Sequence, residues 1–312
     1  MLAYTKSRFH SVRIRFENHV PSSPRNAMLW EIFLFAFKQA WACLFGGLLL
    51  SLVLLTKWFW PHAGSHHHWI ARYDFLFLAA LTIQILMLVL RMETVREAKI
   101  ILVFHVVGTL MELFKTSVGS WAYPELATAN RPFFHIAHVP LFSGFMYASV
   151  GSFLARVTRI VDMRYTRYPN RAFTVAIAML IYANFFTHHY VPDIRIVLFA
   201  LVVIAFGPTM VYYRPYRKYR RMPLVVGFAL VAFFIWAAEN IGTFAAAWVY
   251  PNQKEGWQLV YFSKYGSWFL LMIISFILVS LVHTPRLPPL EELAPVGPDL
   301  ARPSRRPDQN PA

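Results

Sequence analysis

Two glutamates sit inside apolar stretches and are followed by the same residues. Glu112 precedes Trp121, Tyr123 and Pro124, and Glu239 precedes Trp248, Tyr250 and Pro251 at identical spacing. A carboxylate inside an apolar run is costly unless it faces a cavity, a partner or water, so such residues are functional candidates by default. If the two lie close together, burial and mutual repulsion separate their proton affinities, leaving one to donate and one to accept. Lys115 lies three residues beyond Glu112, on the same face of a helix. Glu112, Glu239 and Lys115 are therefore the acid–base candidates. Trp121 and Trp248 are the aromatic faces beside them.

Histidines supply a second chemistry. His105 precedes Glu112 by two helical turns, His135 and His138 lead toward the next apolar run, and His188 and His189 end the one after. Imidazoles and carboxylates from several helices could hold a divalent metal such as zinc or iron, although no His-Glu-x-x-His or Glu-x-x-His motif is present. The plain structural alternative is that these groups satisfy one another and fix helix packing. The loop histidines His62, His66, His67 and His68 read as solvated.

Apolar runs must carry these groups. Residues 31–55, 73–90, 98–116, 139–157, 173–189, 194–213, 222–249 and 268–283 are each close to the roughly 20 residues that a membrane helix needs. An all-α, polytopic transmembrane bundle of about eight helices follows, with seven as the alternative count. No strands are expected. The Pro at position 140 suits the first turn of the fourth helix. Residues 1–30 form a basic segment able to lie in the interface, 31–284 the helical domain, and 285–312 a disordered tail.

Composition agrees. Hydrophobic residues make up 57% of the 312 and charged ones 14%, against about 25% charge in soluble domains. Most of the 30 Lys and Arg residues fall in the loops on one side of this topology. By the positive-inside rule, that places both termini in the cytoplasm of a multi-pass protein of the bacterial inner (plasma) membrane. The net charge of +15 thus reads as topology rather than nucleic-acid binding. A single cysteine, Cys43, excludes a disulfide framework. On the same topology nearly all polar candidates fall in the outer half, while the cytoplasmic ends show ordinary anchoring. The duplicated Glu, Trp, Tyr and Pro are 127 residues apart on helices that cross in the same direction, which points to a parallel internal repeat.

The stretch Met111 to Glu125, followed by His135 to Tyr147, resembles the YoaT-like bacterial membrane proteins grouped as domain of unknown function 817. The resemblance runs from about residue 30 to 285 and implies an integral membrane protein without an assigned activity. Glu112, Gly119, Trp121 and Tyr123 are also similar to a pattern in membrane-embedded lycopene cyclase domains, although Ala246 replaces the Gly in the second copy. That similarity implies a polyene or isoprenoid substrate, protonated by Glu112 or Glu239 to a cation that Trp121 and Trp248 would stabilise.

The expected partners are thus membrane lipids and a lipid-soluble small molecule. Three functions remain open: an acid–base enzyme, a transporter using the paired glutamates, and a metal-dependent enzyme.

Overall fold

In the computed structural model, residues 23–60, 70–127 and 131–289 are described. Ser23 accepts a hydrogen bond from the Asn26 amide and Pro24 occupies the first turn, so α1 starts where capping chemistry dictates and runs Pro24–Ala42. The expected single helix then breaks. The Arg156 guanidinium donates to the Trp41 carbonyl at 2.7 Å, occupying an acceptor at the point where the helix must turn. Beyond Cys43, α2 (Leu44–Phe59) continues at 68° to α1.

The other apolar runs give α3 (Arg72–Val89), α4 (Val95–Ser117), α5 (Phe142–Ile160), α6 (Arg171–Thr187), α7 (Arg195–Phe206), α8 (Leu224–Phe244) and α9 (Ser263–Val282). The break in the first run makes nine helices among the described residues, where eight or seven were expected. α4 begins on a reciprocal cap: Thr94 accepts from the Glu97 amide while the Glu97 carboxylate accepts from the Thr94 amide.

Four helices, α3, α4, α8 and α9, are long and apolar enough to cross a membrane, and the bent α1–α2 pair counts as a fifth if it forms one span. α7, with 12 residues, reaches only about 18 Å at 1.5 Å per residue. The sequence overestimated that run because Met210–Tyr213 forms a strand rather than continuing the helix.

Short strands are the main departure from an all-helical reading. Arg164–Thr166 (β3), Met210–Tyr213 (β4) and Arg220–Pro223 (β5) form an antiparallel sheet in that order, with Tyr165 opposite Val211 and Tyr212 opposite Arg221. This sheet ties the α5–α6 connection to the α7–α8 connection. Its outer strand also holds the segment that follows α9: the Tyr165 amide donates to the Arg286 carbonyl at 2.8 Å. At the other end of the bundle, His135–Ile136 (β1) and Val139–Pro140 (β2) form a hairpin.

α4 and α5 pack along their whole length. A Cβ at Gly144 would collide with Thr109 Oγ1 and His105 Nδ1, and one at Gly151 with the Phe104 ring, so these positions let the two backbones approach. Phe45, Phe104, Ile177, Phe228 and Ile273 fill the shared core. The outward faces of α4 and α8 expose Leu102, Leu110, Leu230 and Phe234, a surface that is unfavourable in water. Residues 1–22, the loop histidines and residues 290–312 lie outside the described residues, and with them most of the basic leader and the tail.

Candidate functional site

α4 and α8 end in the same turn. Amides of Val118, Gly119 and Ser120 bond the carbonyls of Phe114, Thr116 and Lys115; amides of Ala245, Ala246 and Ala247 bond those of Ile241, Thr243 and Gly242. Every pair is displaced by the same 127 positions as the glutamates. Gly119 has φ of 72° and Ala246 φ of 53°, so both turns use the left-handed region, natural for Gly and strained for Ala. The two chains then meet: Ala122 and Val249 exchange amide-to-carbonyl hydrogen bonds, both 2.9 Å.

Each turn folds its tyrosine back onto its own glutamate, and the first turn folds back its tryptophan as well. Glu112 is buried, and its Oε2 accepts from Trp121 Nε1 at 2.6 Å and Tyr123 OH at 2.8 Å, while Oε1 accepts from Tyr147 OH of α5 at 2.7 Å. Glu239 accepts from Tyr250 OH and from Trp268 Nε1 of α9. Burial, reinforced by the neighbouring glutamates, pushes the Tyr123 and Tyr250 phenols well above their ordinary range, which keeps them as donors.

Here the expected parallel between Trp121 and Trp248 fails. Trp248 lies against Gly242 and packs in the core with Tyr73, Tyr123 and Phe142, while Trp268 takes the place beside Glu239. The indole of Trp248 fits there because Gly242 has no side chain: a Cβ at that position would collide with its ring.

Between the two glutamates and α6 lies a cavity of about 160 Å³. Trp121, Tyr147, Tyr250 and Trp268 form one wall, so the glutamates lie behind the side chains that they orient. Lys115, Arg195, Lys264, His188 and His189 line the rest, with Ile181, Phe185, Leu270 and Leu271 as an apolar side. Lys115 Nζ is 3.0 Å from His189 Nε2. Burial, followed by the charges of Lys115, His188 and Lys264, holds the His189 imidazole below its usual range, which favours the neutral ring. Asn184 shapes the turn after α6: its side chain donates to Asp193 at 3.1 Å and accepts from the Ile194 amide.

The five candidate histidines do not converge. His188 and His189 pack against each other, tilted by 35° with ring centroids 4.1 Å apart, but His105 packs on Phe145 between α4 and α5. His135 and His138 belong to the β1–β2 hairpin rather than to the start of a helix, because Ala137 (φ 50°) reverses the chain there and α5 begins only at Phe142. Among the described residues, no three His, Cys, Asp or Glu come together as a metal-holding group.

Polar groups are not confined to this end of the bundle, contrary to the sequence reading. Near the start of α4, Glu93 accepts from Ser152 Oγ and Gln84 Nε2, both at 2.5 Å, and lies 3.8 Å from Arg156, with both ionic side chains fully buried. Arg156 read as a headgroup anchor because it closes an apolar run. The available signal was Ser152 four residues earlier, on the same helix face.

The family described as Protein of unknown function (DUF817) matches residues 31–276. The Bacillus subtilis (strain 168) "Uncharacterized protein YoaT" is 42% identical over 250 residues, covering 80% of this chain and 90% of that protein. No solved structure matches. The matched region contains both glutamates, the aromatic wall and the cavity, and the chain belongs to the DUF817 family.

Proposed function

We propose that this chain is a multi-pass enzyme of the bacterial inner membrane, with both termini in the cytoplasm, acting by acid–base chemistry on an amphiphilic, lipid-soluble substrate. The observation that carries this reading is the cavity, which places an aromatic wall, an apolar side and the Lys115–His189 pair around one volume. The long apolar helices and their exposed apolar faces support the membrane setting. The basic loops support the orientation. The matching turns and bonds, with one donor reaching each glutamate from the following helix, support a parallel duplication, with α2–α5 as one half and α6–α9 as the other.

In this reading neutral His189 takes a proton from the substrate and the Lys115 ammonium supplies one, and their hydrogen bond passes the proton between them. Glu112 and Glu239 are positioning residues. Their oxygens are already occupied as acceptors from Trp and Tyr, so they hold the aromatic wall in place rather than face the substrate. A carbocation is a poor fit, because Lys115, Arg195 and Lys264 line the same space. The experiment compares lipid extracts of cells lacking the protein, cells with the wild type and cells with His189→Gln. One extractable species should accumulate without the protein and be consumed by the wild type alone. Identical extracts from all three would refute an enzymatic role.

Transport is a second reading, favoured by the buried Glu93–Arg156 cluster, which gives the other half of the bundle its own polar groups. Solute uptake into sealed vesicles that is lost in Glu112→Gln and Glu239→Gln, with unchanged lipid extracts, would favour it.

A further inference from the structure

We propose that the cavity binds the phosphate-class oxyanion of its ligand, held among Lys115, Lys264 and Arg195; this deepens the reading of the cavity as a substrate site. The charged side chains that line the space are cations: Lys115 at the end of α4, Arg195 opening α7 and Lys264 in the first turn of α9. Arg195 pairs with Asp193 at 2.5 Å. Among the described residues, neither Lys115 nor Lys264 has a carboxylate within ion-pair distance. Lys115 meets the neutral His189 ring at 3.0 Å and rests over Phe185 at 4.1 Å, and Lys264 rests over Tyr250 at 4.7 Å. The carboxylates of Glu112 and Glu239 are engaged by the Trp and Tyr donors of the wall and do not line the cavity.

Helix polarity gives an independent indication. The amino end of a helix carries partial positive charge, which disfavours cations and attracts anions. Arg195 and Lys264 both sit at such ends, and no side chain caps the first turn of α9. Lys115 and Lys264 repel each other across the space, and Arg195 and Lys264 sit at the wrong helix pole, which is unfavourable for folding alone. An anion between them relieves both costs.

Charge and shape select the class. Arg195 is already neutralised by Asp193, so the two unpaired lysines match a dianion better than a single carboxylate. The donors also arrive from α4, α7 and α9 rather than in one plane, which suits a tetrahedral oxyanion. The apolar side formed by Ile181, Phe185, Leu270 and Leu271 suits a chain attached to it. The shared chemistry is a phosphate oxyanion, either free or heading a lipid.

The test uses full-length protein in a neutral detergent, with thermal unfolding followed as ligand is added. The probes are inorganic phosphate, dodecyl phosphate, dodecanol and dodecyltrimethylammonium. Dodecyl phosphate should raise the midpoint saturably, and Lys264→Met and Arg195→Met should each weaken its apparent Kd at least tenfold. Lys264→Arg should retain binding, and Lys264→Gln replaces the Met variant if that one fails to fold. Saturation by inorganic phosphate at similar concentration identifies a free anion as the source, whereas a response to dodecyl phosphate alone identifies a lipid head group. Equal protection by dodecanol or the ammonium, or unchanged binding of dodecyl phosphate by the variants, overturns the inference. Because lipid turnover is read separately in cell extracts, it can survive that failure, which then removes the anion and leaves the enzyme.

Discussion

Ala122 and Val249 hold each other by two reciprocal hydrogen bonds of 2.9 Å, and the two residues occupy equivalent positions 127 apart. Such reciprocal bonding is what the proposed duplication would produce if its halves were related by a two-fold axis. The turns on either side differ at one functional backbone position, Gly119 against Ala246.

That difference predicts opposite responses to exchanging Gly and Ala. A left-handed Ala costs about 1–2 kcal/mol, partly offset because Gly loses more freedom on folding. Ala246→Gly should therefore stabilise by about 0.5–1 kcal/mol, and Gly119→Ala should destabilise by a similar amount, since a Cβ at Gly119 meets nothing within 4 Å. Denaturant or thermal unfolding of the purified variants measures both. Shifts of the same sign would contradict a shared turn geometry.

Glu112→Gln should loosen the aromatic wall. An amide presents one acceptor oxygen where the carboxylate presented two, so at least one of Trp121, Tyr123 and Tyr147 loses its partner. Leaving a buried donor without its partner costs about 1–3 kcal/mol, and a stability loss in that range is expected. Tyr147→Phe removes a single donor and should cost less. Trp121→Phe with wild-type fluorescence spectra on denaturation and renaturation would show whether the indole, rather than global unfolding, reports the change. If Glu112→Gln unfolds no more easily than the wild type, the glutamate does not organise the wall.

The paired Glu, Trp, Tyr and Pro were legible in the sequence, as was the helical architecture, because long apolar runs and aromatic helix ends are local patterns. The exchange of Trp248 for Trp268 was not legible, since it depends on how α9 folds back onto α8 and on the room left by Gly242. Arg195 and Lys264 were also missed as cavity residues. Each reads as an ordinary loop cation, and only the packing of α9 against α4, with Arg195 bonded to Ser267 of α9, brings them to Lys115. The His135–His138 pair misled for a related reason: its spacing suits a helix, but the turn at Ala137 and the strand at Pro140 decide the geometry.

Stability at low pH should depend on Asp193. Burial alone would raise its carboxyl, but hydrogen bonds from Arg195 and Asn184 outweigh burial and hold it at about 2. A depressed folded-state value means that its contribution is complete above the ordinary aspartate range near 4 and is lost as pH falls from there toward about 2. Asp193→Asn should therefore lower stability at pH 7 and flatten the wild-type decline between those values. Unfolding curves at pH 2.5, 4 and 7 make the comparison. An unchanged decline in the variant would assign the acid sensitivity to other carboxylates.

Glu93 and Arg156 provide the sharpest test of packing. Both side chains are fully buried, with Ser152 and Gln84 completing the carboxylate and the Trp41 carbonyl accepting from the guanidinium. Removing one member of a buried ion pair leaves an uncompensated charge and costs about 3–5 kcal/mol, whereas replacing both with apolar groups is often neutral or better. Glu93→Ala should thus unfold far more readily than the wild type, and Glu93→Ala combined with Arg156→Met should recover much of the loss. The double variant also frees the Trp41 carbonyl at the break between α1 and α2. If the bend at Cys43 depends on that bond, a disulfide-free spin-label pair spanning positions 35 and 52 should lengthen in the double variant as the helices straighten. Recovery of stability with an unchanged distance would assign the bend to packing rather than to Arg156.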